Sequence, residues 1–204
     1  MFLRVIQILK DKGIKFNAGL TQGELKKIYE IYEIKFPLSL KSFLTTALPV
    51  SDGFYDWRDF SSGNVAKIKN MMQHFYDFVK SASFEEYIPN STYSLDQWCK
   101  ISREQRVEVA AELYKNTPKI IPVYSHRFMP EMNDDNNSPV LSIYYGDIVY
   151  YGRNLQEYLL HEFCGIDIPK YISEYKNVPF WTDMMENYDY RFRLYKYFTS
   201  ITIK

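Results

Sequence analysis

One short segment of the sequence concentrates three side chains that can bind a ligand or take part in catalysis. Tyr124, His126 and Arg127 stand at the end of the predicted strand Ile120–Tyr124, with Ser125 between them. A hydroxyl, an imidazole and a guanidinium at a strand end can recognise a polar group in a cleft. Adjacent serine and histidine point in different directions in an extended chain, so they form no catalytic triad alone. In the alternative interpretation, His126 and Arg127 bond to backbone carbonyls and nearby acidic residues and fix the following loop.

A second candidate group combines residue types that are enriched at protein-binding hot spots. Tyr55, Trp57 and Arg58 lie in the aromatic segment 54–60, for which we expect a partly extended backbone. Core packing explains the aromatic side chains equally well. Both interpretations therefore stay open at the level of sequence.

A third candidate group is acidic. Glu131, Asp134 and Asp135 lie in the polar loop 131–138, and calcium prefers several such oxygen ligands. The spacing lacks the D-x-D-x-D-G pattern of a calcium loop, so a solvated loop is the favoured interpretation. An acidic loop would also suit a basic protein partner through charge complementarity.

The sequence carries no complete motif of a cofactor, metal or catalytic site. It contains neither G-x-G-x-x-G nor G-x-x-x-x-G-K, the loops that hold phosphates, and no G-x-S-x-G nucleophile turn. It has no H-E-x-x-H and no C-x-x-C pair. We therefore expect no cofactor, no bound metal and no enzymatic activity.

Charge and hydropathy exclude further classes. The chain has 25 Lys and Arg against 25 Asp and Glu, and this zero net charge argues against a general nucleic-acid binder. No apolar run approaches the roughly 20 residues of a membrane span. The segment 1–13 is typical of an amphipathic helix rather than a signal peptide. Cys99 and Cys164 are predicted to be free thiols of a cytoplasmic protein.

The first half of the chain is predicted to be helical. Thr21-Gln22-Gly23-Glu24 is a capping box that begins a helix ending at about Ile34, before Pro37. Pro37 can also begin a second short helix, which Leu48-Pro49 would close.

Two more helices follow in the sequence. Asn64 is the predicted N-cap of the first one, and the segment 81–94 after it is predicted to be irregular. Ser102-Arg103-Glu104-Gln105 is a second capping box, beginning a helix that runs to about Lys115.

The second half of the chain favours strands. The segments 140–145 and 148–151 predict a β-hairpin with Gly146-Asp147 as a two-residue turn. Asn154 and Glu157 then cap a helix for which Gly165 is the predicted end.

The tail is aromatic, and 181–195 fits a helix better than a strand. No repeat or linker occurs, so we predict one domain over 1–204. The oligomeric state stays open between a monomer and a homodimer formed through the aromatic segment.

Several of these segments resemble the SUKH superfamily, the group named partly for the fungal Smi/Knr proteins. The helix ending at Phe36-Pro37 and the helix after it look like the opening of such domains. The segments Leu48–Ser61, Ile121–Pro130 and Ser138–Phe163 resemble a bacterial branch of the family. The likeness covers about residues 20–165 and leaves 166–204 as a C-terminal extension. It implies an α+β fold with a curved, mainly antiparallel sheet and helices packed around it.

The resemblance also implies a function. Many bacterial members are similar to immunity proteins that bind and neutralise toxins, and the family has no established catalytic residues. We therefore expect a non-enzymatic protein-binding module, with an immunity protein as its specific form and a toxin as its partner. The three groups above are the candidate binding surface. The alternative is a small-molecule-binding or enzymatic domain with a cleft around His126 and Arg127.

The sequence departs from the family pattern in two places. Leu48-Pro49-Val50-Ser51 stands where many relatives have an Asn-Gly-type turn, and the match ends before Cys164. Binding surfaces are what such proteins vary.

Overall fold

The computed structural model describes residues 2–82, 92–132, 137–168 and 170–186, which form an α+β fold with two antiparallel sheets. The predicted fold class is confirmed. The described helices are α1 (Leu3–Asp11), α2 (Gln22–Tyr32), α3 (Leu38–Thr46), α4 (Ser62–Ala82), α5 (Leu95–Lys100), α6 (Arg103–Lys115), α7 (Leu155–Cys164) and α8 (Trp181–Glu186), with one 3-10 turn at Ile172–Glu174. The described strands are β1 (Phe16–Ala18), β2 (Ala47–Pro49), β3 (Ile120–Tyr124), β4 (Arg127–Pro130), β5 (Val140–Tyr144) and β6 (Asp147–Gly152).

The chain divides into two compact units, each assembled from segments that are separate in sequence. Unit 1 is built from the described residues within 1–72, 118–143 and 149–176, and unit 2 from those within 73–117, 144–148 and 177–204. The single domain over 1–204 stays a prediction. None of the helices in the described residues is both long and apolar enough to cross a membrane.

Side-chain caps explain where several helices begin. The Thr21 hydroxyl accepts a hydrogen bond of 3.2 Å from the Glu24 amide, and the Glu24 carboxylate accepts one of 2.7 Å from the Thr21 amide. The same reciprocal pattern begins α6 at Ser102, and the Asn154 side chain caps α7. Gly165 ends α7 in the left-handed conformation. These predicted caps are confirmed, and the three N-caps depend on atoms only three residues apart.

One capping box was missed in the sequence. The Ser94 hydroxyl accepts a hydrogen bond from the Gln97 amide, and the Gln97 side-chain oxygen accepts one from the Ser94 amide, which begins α5. The S-x-x-Q spacing begins at Ser94, the last residue of the segment predicted to be irregular. Of the rest of that segment, residues 81–82 belong to the end of α4, residues 92–93 lie outside any helix or strand, and residues 83–91 lie outside the described part of the chain.

The predicted start of α4 was wrong. Asn64 lies inside the helix, which begins at Ser62, and its side-chain amide donates to the carbonyls of Asp56 and Asp59. Asn64 therefore ties the preceding loop to the helix. It does not cap a backbone amide of its own helix.

Two other boundaries differ from the prediction. Residues 47–49 form strand β2, where a helix end was expected, and α3 stops at Thr46. The segment 54–60 is irregular apart from a turn at 57–58, with a single bridge from Phe54 to Tyr124 in place of an extended strand. Both features depend on long-range pairing, which local patterns do not encode.

The four-stranded sheet has the order β3-β4-β5-β6, which places Pro122 in the edge strand β3, where a residue without a backbone N–H is tolerated. The smaller sheet pairs β1 with β2.

The β5–β6 hairpin is confirmed, but its turn lies one residue earlier than predicted. Tyr145 and Gly146 form the turn, and Asp147 is already in β6. Tyr145 adopts a φ of 51°, the left-handed conformation that hairpin turns of this length use.

Each unit has its own hydrophobic core. The core of unit 1 joins residues from α1, α2 and α3 to residues of the sheet and of α7. In unit 2, the ring of Phe75 from α4 packs against Trp181 from α8 at 4.6 Å between ring centroids. Of the predicted tail helix 181–195, residues 181–186 are confirmed as α8 and the remainder lies outside the described residues.

Gly19 provides a test of the close packing in unit 1. A Cβ atom at this position would lie 1.9 Å from the carbonyl oxygen of Thr45, so the backbone must shift to accept any side chain. We expect Gly19→Ala to lower the free energy of unfolding by about 3 kcal/mol, because overpacking against backbone is costly. Urea unfolding measures the change.

Gly63→Ala is the matched control. Gly63 lies in α4, and its Cβ would have no atom within 4 Å, so we expect a gain of up to about 1 kcal/mol. Equal effects of the two substitutions would contradict the close approach at Gly19.

Candidate functional site

Arg127 is the centre of a buried polar contact in unit 1. Its Nε lies 3.4 Å from Oε2 of Glu162, and its Nη1 donates a hydrogen bond of 3.0 Å to Oγ of Ser142. Its guanidinium carbon is 3.9 Å from the centroid of the Tyr151 ring, a cation–π distance. Only 8% of Arg127 is exposed. The geometry therefore fits the structural interpretation of this arginine rather than a surface contact.

The other two residues of the first group have different surroundings. Tyr124 is half-buried, with ring centroids 4.8 Å from Phe54 and 5.1 Å from Phe163. His126 is half-buried in the turn between β3 and β4, and its Nδ1 lies 3.1 Å from Oγ of Ser125. The structure thus places Tyr124 in an aromatic cluster, Arg127 in the interior and His126 at a turn.

Tyr55 and Trp57 of the second group are buried in unit 1. Trp57 is 2% exposed, and its ring packs edge-on against Tyr32 and Phe36 at 5.3 and 4.9 Å. The Tyr55 hydroxyl donates a hydrogen bond of 2.6 Å to the Ser125 carbonyl, and burial raises the pKa of this phenol to about 12. This placement corrects their proposed role as surface anchors, because both rings fill the core.

Arg58 holds together separate parts of unit 1. Its Nε donates to Oε1 of Glu24 at 2.5 Å, and its Nη2 donates to the carbonyls of Ala18 and Gly19, both at 2.9 Å. The hydrogen bond from Arg58 is the main cause that lowers the pKa of Glu24 to about 2, and the Thr21 amide adds to it. The guanidinium is therefore occupied by internal acceptors.

Glu131 is also occupied. Its Oε1 accepts a hydrogen bond of 2.8 Å from the Lys35 amide, which ties the end of β4 to the segment after α2. Asp134 and Asp135 lie outside the described residues. In the part of the chain that is described, no three His, Cys, Asp or Glu side chains are grouped as metal ligands.

An exposed aromatic cluster in unit 2 was not among the candidates. Tyr144 is 59% exposed and Tyr145 is 52% exposed, and their ring centroids are 4.9 Å apart. The ring of Tyr145 also lies 5.1 Å from His74 and 6.4 Å from Phe78, both on α4. We call these four residues the hairpin patch. The sequence signal that could have indicated this patch is the Tyr-Tyr-Gly-Asp segment at 144–147, because a hairpin turn at this place puts the two tyrosines on the surface.

A cleft of about 380 Å³ lies in unit 1 beside the start of α7. Polar side chains from α3, from the start of α7 and from Asn137 line it, together with the apolar side chains of Phe2, Leu160 and Ile166. Neither His126 nor Arg127 is among its lining residues, so it is not the cleft that the sequence suggested.

No protein-family model, curated protein or solved structure matches this chain. The resemblance to the SUKH superfamily therefore stays a prediction.

The Glu24–Arg58 contact predicts a pH dependence of stability. The carboxyl has a folded-state pKa of about 2 against an ordinary 4.5, so its stabilisation is complete above pH 4.5 and is lost as the pH falls towards 2. Glu24→Gln keeps a capping side chain and removes the charge. We expect this variant to lose about 1–2 kcal/mol at pH 7, because solvent screens part of the interaction.

Urea unfolding between pH 7 and pH 2 measures this loss. The difference between wild type and Glu24→Gln should shrink as the pH falls through this range. Lys26→Met is the control, because it removes an exposed ion pair with Glu30 and should cost less than about 1 kcal/mol. A difference that stays constant with pH would contradict the lowered pKa of Glu24.

The buried ion pair between Arg127 and Glu162 predicts how the stabilities of the single and double variants will differ. We expect Arg127→Met to lower the free energy of unfolding by about 3 kcal/mol, because it leaves the Glu162 carboxylate without its cation. The double variant Arg127→Met/Glu162→Met should be more stable than this single variant, since neither charge remains. Chemical denaturation measures both. A double variant that loses the sum of the losses measured for Arg127→Met and for Glu162→Met alone would show that the charges do not interact.

Proposed function

We propose that this protein is a non-enzymatic protein-binding module that neutralises a toxin protein. The observation that carries the proposal is the exposed pair Tyr144 and Tyr145 of the hairpin patch. The resemblance of the sequence to immunity proteins of the SUKH superfamily supports the specific role. The partner would bind through a surface that the sequence-based candidates did not include.

Tyrosine pairs of this kind suit protein recognition. A tyrosine ring offers a large apolar surface and a hydroxyl that can donate or accept a hydrogen bond, with only two rotatable bonds to immobilise. Tyr144 and Tyr145 contact each other edge-on, and Tyr145 also contacts His74. These contacts restrict the rings before a partner arrives, which lowers the entropic cost of association.

The backbone at Tyr145 gives a second reason. A non-glycine residue with φ of 51° costs free energy, and asparagine or glycine is strongly preferred at this turn position. Residues kept in such conformations cluster at functional sites. A bulky aromatic side chain at the turn therefore favours a binding role over a purely structural one.

Substitution of the patch separates binding from folding. Tyr145→Asn suits the left-handed turn and should keep or raise stability, whereas Tyr144→Ser removes an exposed ring. We expect each variant to weaken binding to the toxin about tenfold or more, because each removes an aromatic anchor. Purified products of the neighbouring genes are titrated into each variant by calorimetry.

Tyr171→Ser is the matched control, since Tyr171 is 73% exposed and lies in unit 1, outside the hairpin patch. It should bind like the wild type. If no neighbouring gene product binds at about micromolar concentration, the proposed function is wrong. If one binds wild type and both patch variants equally, the function stands and the patch is not its site.

A further inference from the structure

The cleft in unit 1 receives the N-terminal ends of two helices. Ser39, in the first turn of α3, lines it, as do Asn154 and Gln156 at the start of α7. The first amides of a helix have no acceptor within the helix, and the helix dipole makes this end positive. A cleft that receives two such ends favours an anionic group.

The caps of the two helices leave donors available. The Asn154 side chain accepts a hydrogen bond of 3.0 Å from the Glu157 amide, which satisfies one backbone donor of α7. The N-cap of α3 is Pro37, and no side chain caps that helix. The first amides of α3 therefore lack the acceptor that a serine or aspartate cap would supply.

Ser39 gives an independent indication of a ligand. Only 2% of this residue is exposed, and its Oγ has no hydrogen-bond partner within the described residues. Buried hydroxyls normally have a partner, because an unsatisfied one costs free energy. A ligand with an oxygen acceptor in the cleft would supply the missing partner.

The other lining residues define the rest of the ligand. Arg153 donates to the Glu157 carboxylate through Nε at 2.9 Å and Nη2 at 2.7 Å, so the one acidic side chain among the described lining residues is already paired. Phe2, Leu160 and Ile166 supply apolar surface. The volume of about 380 Å³ is that of a small-molecule site.

We propose that this cleft binds a small organic carboxylate. The carboxylate lies at the two helix ends and accepts a hydrogen bond from Ser39. The apolar part of the ligand packs on Phe2, Leu160 and Ile166. This site is a second function beside protein binding and does not depend on the hairpin patch.

Hexanoate is the probe, with hexan-1-ol and hexylammonium as probes of equal chain length. Titration of the full chain is followed by the backbone amide signals of Ser39, Leu160 and Ile166. We expect saturable shifts with hexanoate and a dissociation constant on the order of 1 mM, as suits a ligand of this size. Hexan-1-ol should bind at least about fivefold more weakly, and hexylammonium should not bind, because the helix ends repel a cation.

Two variants test what the positive helix end and the Ser39 hydroxyl contribute to hexanoate binding. Asn154→Asp keeps a good N-cap and the fold but adds a negative charge to the cleft, so hexanoate should bind about tenfold more weakly. Ser39→Ala should weaken hexanoate binding about threefold to tenfold. Thermal unfolding checks that both variants fold.

The proposal is overturned if hexanoate gives no saturable shift up to about 20 mM, well above the expected constant. It is also overturned if hexan-1-ol binds equally well, since the cleft would then select only for apolar surface. Unchanged hexanoate binding by folded Asn154→Asp would exclude the helix ends as the carboxylate site.

Discussion

The buried ion pair between Arg127 and Glu162 is the constraint on which much of unit 1 depends. Removing two charges from water costs several kcal/mol for each ion, so each must meet the other inside the protein. Arg127 belongs to β4 and Glu162 to α7, and the guanidinium lies on the ring of Tyr151 from β6. The pair thereby fixes the position of α7 on the sheet. The first turn of that helix in turn forms one wall of the carboxylate cleft.

The sequence predicted the features that depend on neighbouring residues. The caps at Thr21, Ser102 and Asn154 were correct because the donor and acceptor lie three residues apart. The turn at residue 145 was placed one residue late because glycine is the usual marker of a positive φ, and here a tyrosine adopts it. The pairing of β1 with β2 was missed because both strands are three residues long and their partners are set by tertiary contacts.

The candidate site was harder to predict than the fold, because residue type alone does not determine exposure. Trp57 and Tyr144 are both large aromatic residues, yet one is in the core and the other is on the surface. Arg58 and Arg127 resemble binding residues in the sequence, but their partners are up to 40 residues away along the chain. The cleft required Ser39 and Asn154 to come together from distant helices. No local pattern contains that information.

Unit 1 is assembled from segments that are far apart in the sequence, and this affects how it folds during synthesis. Its core joins Phe2 to Leu159, so the helices made first cannot complete their packing until α7 has left the ribosome. At about 5–20 residues per second, the interval between α3 and α7 lasts several seconds or more. During this time the apolar faces of α1, α2 and α3 are open to other molecules. Chaperones that hold nascent chains are therefore expected to contact this protein before it can bind any partner of its own.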